Sequence, residues 1–134
     1  MDGFRDFYPM YVRRFAIALV FALTAPPAGV ADTFTSGSNA YSTGLYGSAA
    51  RHWLDLAEKG HGAAQYNIGR MHYYGQGVVR DRIEAYKWFL IARANGVERS
   101  DEAARLLADR MTSREVAEAA RRALDWRNRH TVSR

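Results

Sequence analysis

The chain has 134 residues, 48% hydrophobic and 25% charged, with a formal charge of +5. This is the composition of one globular domain rather than of a disordered or fibrous chain. It contains no cysteine, which excludes disulfides, thiolate metal sites and a cysteine nucleophile.

Residues 1–31 read as a secretory signal. Arg13 and Arg14 precede an apolar run from Phe15 to Ala25, followed by Pro26-Pro27 and the small-residue stretch Ala28-Gly29-Val30-Ala31. A basic start, a short apolar core and a small-x-small end define such a signal, and the run is too short to span a bilayer, which takes about 20 residues. Cleavage is expected after Ala31, with translation starting at Met1 or Met10. Residues 1–31 hold three arginines and two aspartates, so the cleaved chain keeps +4 of the +5. The expected location is periplasmic or secreted, with no stable membrane span after cleavage and no nucleic-acid partner. An uncleaved anchor is the rival reading.

Residues 32–47 are rich in Ser, Thr, Gly and Asn without a sustained period, and are expected to form a flexible lead-in. The first helix is expected over 48–59, with Ala49, Trp53, Leu56 and Ala57 inward. Gly60 ends it in a left-handed turn. A second helix follows over 62–74, with Ala64, Ile68 and Met71 in one stripe and Gly69 leaving room for a neighbour. Gly75-Gln76-Gly77 reads as a turn. A phosphate loop would need a preceding strand and a third glycine. Asp81 is expected to cap a third helix over 82–95, with Glu84 completing a capping-box-like pair. Ala85, Trp88, Phe89, Ile91 and Ala92 form its core stripe.

Ser100 is expected to cap a fourth helix whose Ala103, Leu106, Leu107 and Met111 face inward. Thr112-Ser113-Arg114-Glu115 is a capping box for a last helix. There Val116, Ala119, Ala120, Ala123 and Trp126 would close the stack, while Arg114, Arg121, Arg122, Arg127 and Arg129 form a basic face. Residues from His130 onward are expected to fray.

Sliding the chain on itself by thirty-six positions lays Ser48–Leu54 over Glu84–Leu90 and Gly60 over Gly96. A weaker match sets Ala64, Ile68 and Gly69 over Ala103, Leu107 and Ala108, with three extra residues in the turn. Periods of this size indicate stacked helical repeats. The ordered set Gly60-His61, Ala64-Gln65-Tyr66-Asn67-Ile68-Gly69, Gly75-x-Gly77-Val78, Asp81, Ala85, Trp88 and Gly96 resembles the Sel1-like repeat, a relative of the tetratricopeptide repeat. His72 and Val79 depart from that pattern, which commonly has tyrosine and proline there. The resemblance implies an all-α fold, a short right-handed α/α solenoid of helix pairs with a C-terminal capping helix. It places a repeat domain over 48–130, one complete repeat at about 60–96, and a tail over 131–134.

The resemblance also implies a non-enzymatic protein that binds a protein or peptide as an adaptor or regulator in the bacterial cell envelope. The inner side of the stack would carry the site, at Gln65, Asn67, Arg70, Tyr73 and Tyr74, with the amides and arginine holding backbone or carboxylate and the tyrosines stacking. With only about two units of helices visible, the alternative is a structural subunit completed by self-association. No cofactor is expected, and no catalytic constellation stands out. His52, His61 and His72 share no metal-ligand spacing, which leaves a small metal-binding or enzymatic protein as a minor alternative. DNA binding through the last two helices is another if the signal is false.

Overall fold

The computed structural model describes residues 28–131, all of whose regular structure is helical. The helices are α1 Ala28–Ser42, α2 Tyr46–Glu58, α3 Gly62–Tyr74, α4 Arg82–Ala94, α5 Glu98–Ala108 and α6 Ser113–Thr131. The chain divides into two units between Ala31 and Asp32. Everything below concerns the second. Most of the expected signal segment, and residues 132–134 of the expected tail, lie outside the described residues.

The expected flexible lead-in is corrected: α1 occupies most of it. Aromatic anchoring overrides its poor helix propensity. Phe34 packs on Trp53 and stacks on His61, and Tyr41 packs on Tyr46 and Trp53. The Trp53 indole N–H donates to the Phe34 carbonyl, and the Tyr41 hydroxyl to Gln76 Oε1. Gly37 is buried because its backbone lies directly on the Trp53 indole.

With α1 in place the described residues hold six helices, three successive pairs in chain order rather than about two. Three is the number at which stacked repeats usually stand alone. The turns within the pairs differ in length, spanning 43–45, 75–81 and 109–112. The thirty-six-residue match is therefore lost across them.

α4 packs against α6, where Trp88 meets Trp126 edge to face with ring centroids 5.7 Å apart. α3 lies on α2 and α4, and α5 lies on α4. The core is the expected set for α2, α3 and α4: Ala49, Trp53, Leu56, Ala57, Ala64, Ile68, Met71, Ala85, Trp88, Phe89, Ile91 and Ala92 are all buried. Gly69 sits against the Phe89 ring, and even a methyl group there would run into it.

α5 departs from expectation. It starts at Glu98 after Val97, not at a Ser100 cap. Ser100 is fully buried inside the helix, and its hydroxyl has no partner. The first helices thus keep the thirty-six-residue register, with no three-residue insertion: Ala64, Ile68 and Met71 correspond to Ser100, Ala104 and Leu107, all buried. Leu106, expected inward, is exposed. On α6, Ala119, Ala123 and Trp126 are buried and Ala120 is exposed.

The caps follow local chemistry. His61 Nδ1 accepts from the Ala64 N–H at 3.2 Å and so caps α3. Asp81 accepts from the Ile83 and Glu84 N–H groups. The reciprocal half of that box is absent, because Glu84 binds Lys87 and Arg122 instead. The Thr112–Glu115 box forms in both directions. The chain end does not fray at His130: its ring stacks on Trp126 at 3.8 Å, and Nδ1 donates to the Trp126 carbonyl.

Candidate binding groove

A groove runs between α3 and α5, the first helices of the second and third pairs, and α4 supplies its floor. Tyr66, Arg70, Tyr73 and Tyr74 come from α3, and Phe89 from α4. Ala103, Leu106 and Leu107 come from α5, and Arg110 from the turn after it. Its volume is about 230 Å³, below the roughly 300–1,000 Å³ usual for small-molecule pockets. That is room for one or two side chains of a partner, not for a bulky cofactor.

Helical spacing explains the lining. Residues 66, 70 and 73 recur every three to four positions and so share a face of α3. Tyr66 packs on Phe89 with centroids 5.7 Å apart, and Tyr73 meets Tyr74 edge on at 4.9 Å. Phe89 and Leu107 are buried with Ala85 and Ala104 in one cluster, on which Tyr66, Tyr73 and Ala103 rest. Tyr74 and Leu106 stay more than half exposed at the lip.

Two guanidinium groups border this apolar floor. Arg110 donates to the Tyr73 hydroxyl at 3.1 Å, and Arg82 fixes the turn by donating to the Arg110 carbonyl. Arg70 is half-buried and makes no hydrogen bond or ion pair among the described residues. No acidic residue lines the groove.

Of the five residues expected at the site, Arg70, Tyr73 and Tyr74 line this groove. Asn67 is half-buried one turn before Arg70, outside the lining and without a hydrogen bond among the described residues. Gln65 is a correction. It is fully buried between helices, its Nε2 donates to the Ala57 carbonyl, and its Oε1 accepts from Asn95 Nδ2 at 2.7 Å. Its amide therefore ties α3 to the ends of α2 and α4, and its burial keeps it out of reach of a partner. A helical wheel places position 65 beside Ile68 and Gly69, which is the signal that could have assigned it inward. Tyr66 and Arg110 were not anticipated. Tyr66 shares the 66/70/73 spacing, whereas Arg110 reaches the groove only through the packing of α5.

A hollow of about 370 Å³ lies at the other ends of α2, α4 and α6, lined by Glu58, Asn95, Trp126 and His130 among others. Two of its polar groups are engaged with one carboxylate: Glu58 accepts from the Trp126 indole, and His130 Nε2 lies 3.4 Å from the same group. It offers a partner less than the α3/α5 groove does. His52, His61 and His72 join no metal-binding cluster among the described residues. The His72 Nδ1–H donates to the Val79 carbonyl across the turn.

The two-helix unit with its glycine turn, from the start of α3 to the residue after α4, is what decides the relationship. The family model for the Sel1 repeat matches residues 62–97. The chain carries a Sel1 repeat. A solved structure described as a protective antigen present in uropathogenic Escherichia coli strains, displaying an SLR fold, is similar with a TM-score of 0.66 and 29% identity. That similarity covers 72% of this chain and 22% of the antigen. The Sel1-repeat chain is also similar to two proteins named exopolysaccharide production negative regulator. It is 30% identical over 99 residues to the one from Rhizobium leguminosarum bv. viciae, covering 65% of this chain and 37% of the relative. It is 33% identical over 69 residues to the one from Rhizobium meliloti (strain 1021), covering 52% and 26%. The chain thus spans about a third or less of each relative's length. The fold is an all-α helical-repeat solenoid, and among its described residues no helix is long and apolar enough to cross a membrane.

Proposed function

We propose that this Sel1-repeat chain is a non-enzymatic adaptor or regulator of the bacterial cell envelope that docks a segment of a partner protein in the α3/α5 groove. The observation that carries the reading is an open apolar groove bordered by tyrosines and arginines on a scaffold of stacked helices. Aromatic and arginine side chains are the residues that dominate protein-binding hot spots. The regulator names of the rhizobial relatives agree with a regulatory role. Export rests on the signal pattern of residues 1–31, and the second compact unit begins at Asp32, the residue after the expected cleavage point.

The test is selection of a random peptide display library on the whole chain, followed by binding of the selected peptides to the Ala103→Trp variant, which fills the groove. Peptides that bind wild type and lose the variant, at unchanged helical content, support the groove. Peptides that bind both equally remove it.

A further inference from the structure

We infer that the α3/α5 groove selects an internal acidic segment of its partner, in which a bulky apolar side chain stands next to Asp or Glu. The apolar residue would occupy the floor made by Phe89, Ala103 and Leu107, and the carboxylate would meet Arg70 and Arg110. This rests on the groove being the docking site proposed above and adds what it recognises.

The argument is charge complementarity at close quarters. Elsewhere among the described residues Arg82, Arg93, Arg121 and Arg122 each lie within ion-pair distance of a carboxylate, and the arginines that do not, Arg51, Arg80, Arg99, Arg105, Arg114, Arg127 and Arg129, are exposed and keep their hydration. At the groove Arg110 has only a neutral phenol, and Arg70 has no ion pair or hydrogen bond among the described residues. Arg70 is half-buried, so part of its hydration is already lost with nothing replacing it. An incoming carboxylate would supply charge-assisted hydrogen bonds, roughly twice as strong as neutral ones, with the fork geometry that arginine favours. With no acid in the lining, no carboxylate of the groove itself competes for that position, and a basic segment would meet two like charges. The Tyr73 hydroxyl holds Arg110 at the lip, so one of the two charges is already placed before binding. The small volume fits a single large apolar side chain beside the acid rather than two such residues.

The test uses four pools of short fluorescent peptides, amidated at the C-terminus and carrying Leu or Phe at a fixed position. The neighbouring position is Asp/Glu, Asn/Gln, Lys/Arg, or Asn/Gln with a free C-terminal carboxylate directly after the apolar residue. Binding to the whole chain is read by polarisation at two salt concentrations. The expected result is at least about tenfold tighter binding of the Asp/Glu pool than of its Asn/Gln isosteres, weakened by salt because the contact is charge-driven. Arg70→Glu with Arg110→Glu should reverse the preference toward the Lys/Arg pool. Equal binding of the acidic and neutral pools, both lost in Ala103→Trp, would overturn the acidic preference and leave the groove standing. Preference for the free-carboxylate pool would overturn it in favour of a chain terminus. Absence of binding by every pool would overturn the groove along with it.

Discussion

The indole N–H of Trp126 donates to the Glu58 carboxylate at 2.8 Å, joining residues 68 positions apart. This bond reaches from α6 across α4 to α2, while the same indole packs edge on against Trp88. Trp126 therefore contributes both a hydrogen bond and an aromatic face to holding the last helix, and a single substitution can separate the two. Trp126→Phe keeps a ring and removes the donor. It should cost about 1–3 kcal/mol, from the lost bond and the smaller ring, read as a lower urea midpoint. In the Glu58→Gln background, which keeps an acceptor, most of that cost should persist. In Glu58→Ala it should shrink, since the bond is already gone.

The Gly75-Gln76-Gly77 turn is under steric control. Gly77 has a φ of 70°, and a methyl group added to it would overlap the carbonyl of Tyr46 at the start of α2. Gly77→Ala meets both a left-handed backbone and an immovable main-chain atom, so it should destabilise by more than about 1 kcal/mol. Gly44→Ala, also left-handed but facing open space, should cost less. Paired urea melts measure the difference.

Gln65 should behave as part of the frame. Gln65→Leu removes the buried bonds to Ala57 and Asn95, at a cost of about 1–3 kcal/mol. Peptide affinity per folded molecule should be unchanged. Loss of affinity at full helical content would return Gln65 to the binding surface.

Acid should loosen the α4/α6 contact. Hydrogen bonds from Arg121 and Arg122 hold the exposed Glu118 carboxyl at about 2. Burial raises Glu84, but the bonds from Lys87 and Arg122 outweigh it and leave its carboxyl below the usual carboxylate range. Both groups are more acidic folded than unfolded, so their stabilising effect is complete above about pH 4.5 and is lost as the pH falls toward 2. Glu84→Gln together with Glu118→Gln should flatten the fall in urea midpoint between pH 5 and pH 3.

Export has a direct readout. Expression of the whole chain in a Gram-negative host should yield a periplasmic form whose amino terminus is Asp32. Phe34 and Tyr41, which anchor α1, would both be retained. A full-length chain in the cytosol would remove the envelope location from the proposed function.

The central repeat was legible because its signals are local. Ala64, Ile68 and Met71 recur at helical spacing, Gly75 and Gly77 mark a turn that left-handed backbone requires, and Asp81 sits where a cap is needed. The outer helices were less legible for a physical reason. α1 has the composition of a loop and becomes helical through contacts of Phe34 and Tyr41 with residues of α2 and α3. Ser100 looks like a cap by residue type, yet Val97 takes that position because α5 must keep register with α3. Arg70, Tyr73 and Tyr74, which the resemblance put on the inner side of the stack, line the groove, whereas Gln65 is buried with both its partners at the ends of other helices.

The sequence by itself determined the repeat, its helix pair and most of the core of α2, α3 and α4, because hydrophobic periodicity and turn chemistry act within a few residues. Only the tertiary structure decided that the lead-in is helical, which groups Gln65 bonds, and that Arg110 lines one groove with Arg70 and Phe89. Those outcomes depend on how helices far apart in the chain stack against one another. That stacking is set by shape and by the partners available to buried polar groups, neither of which the spacing of residues along the chain records.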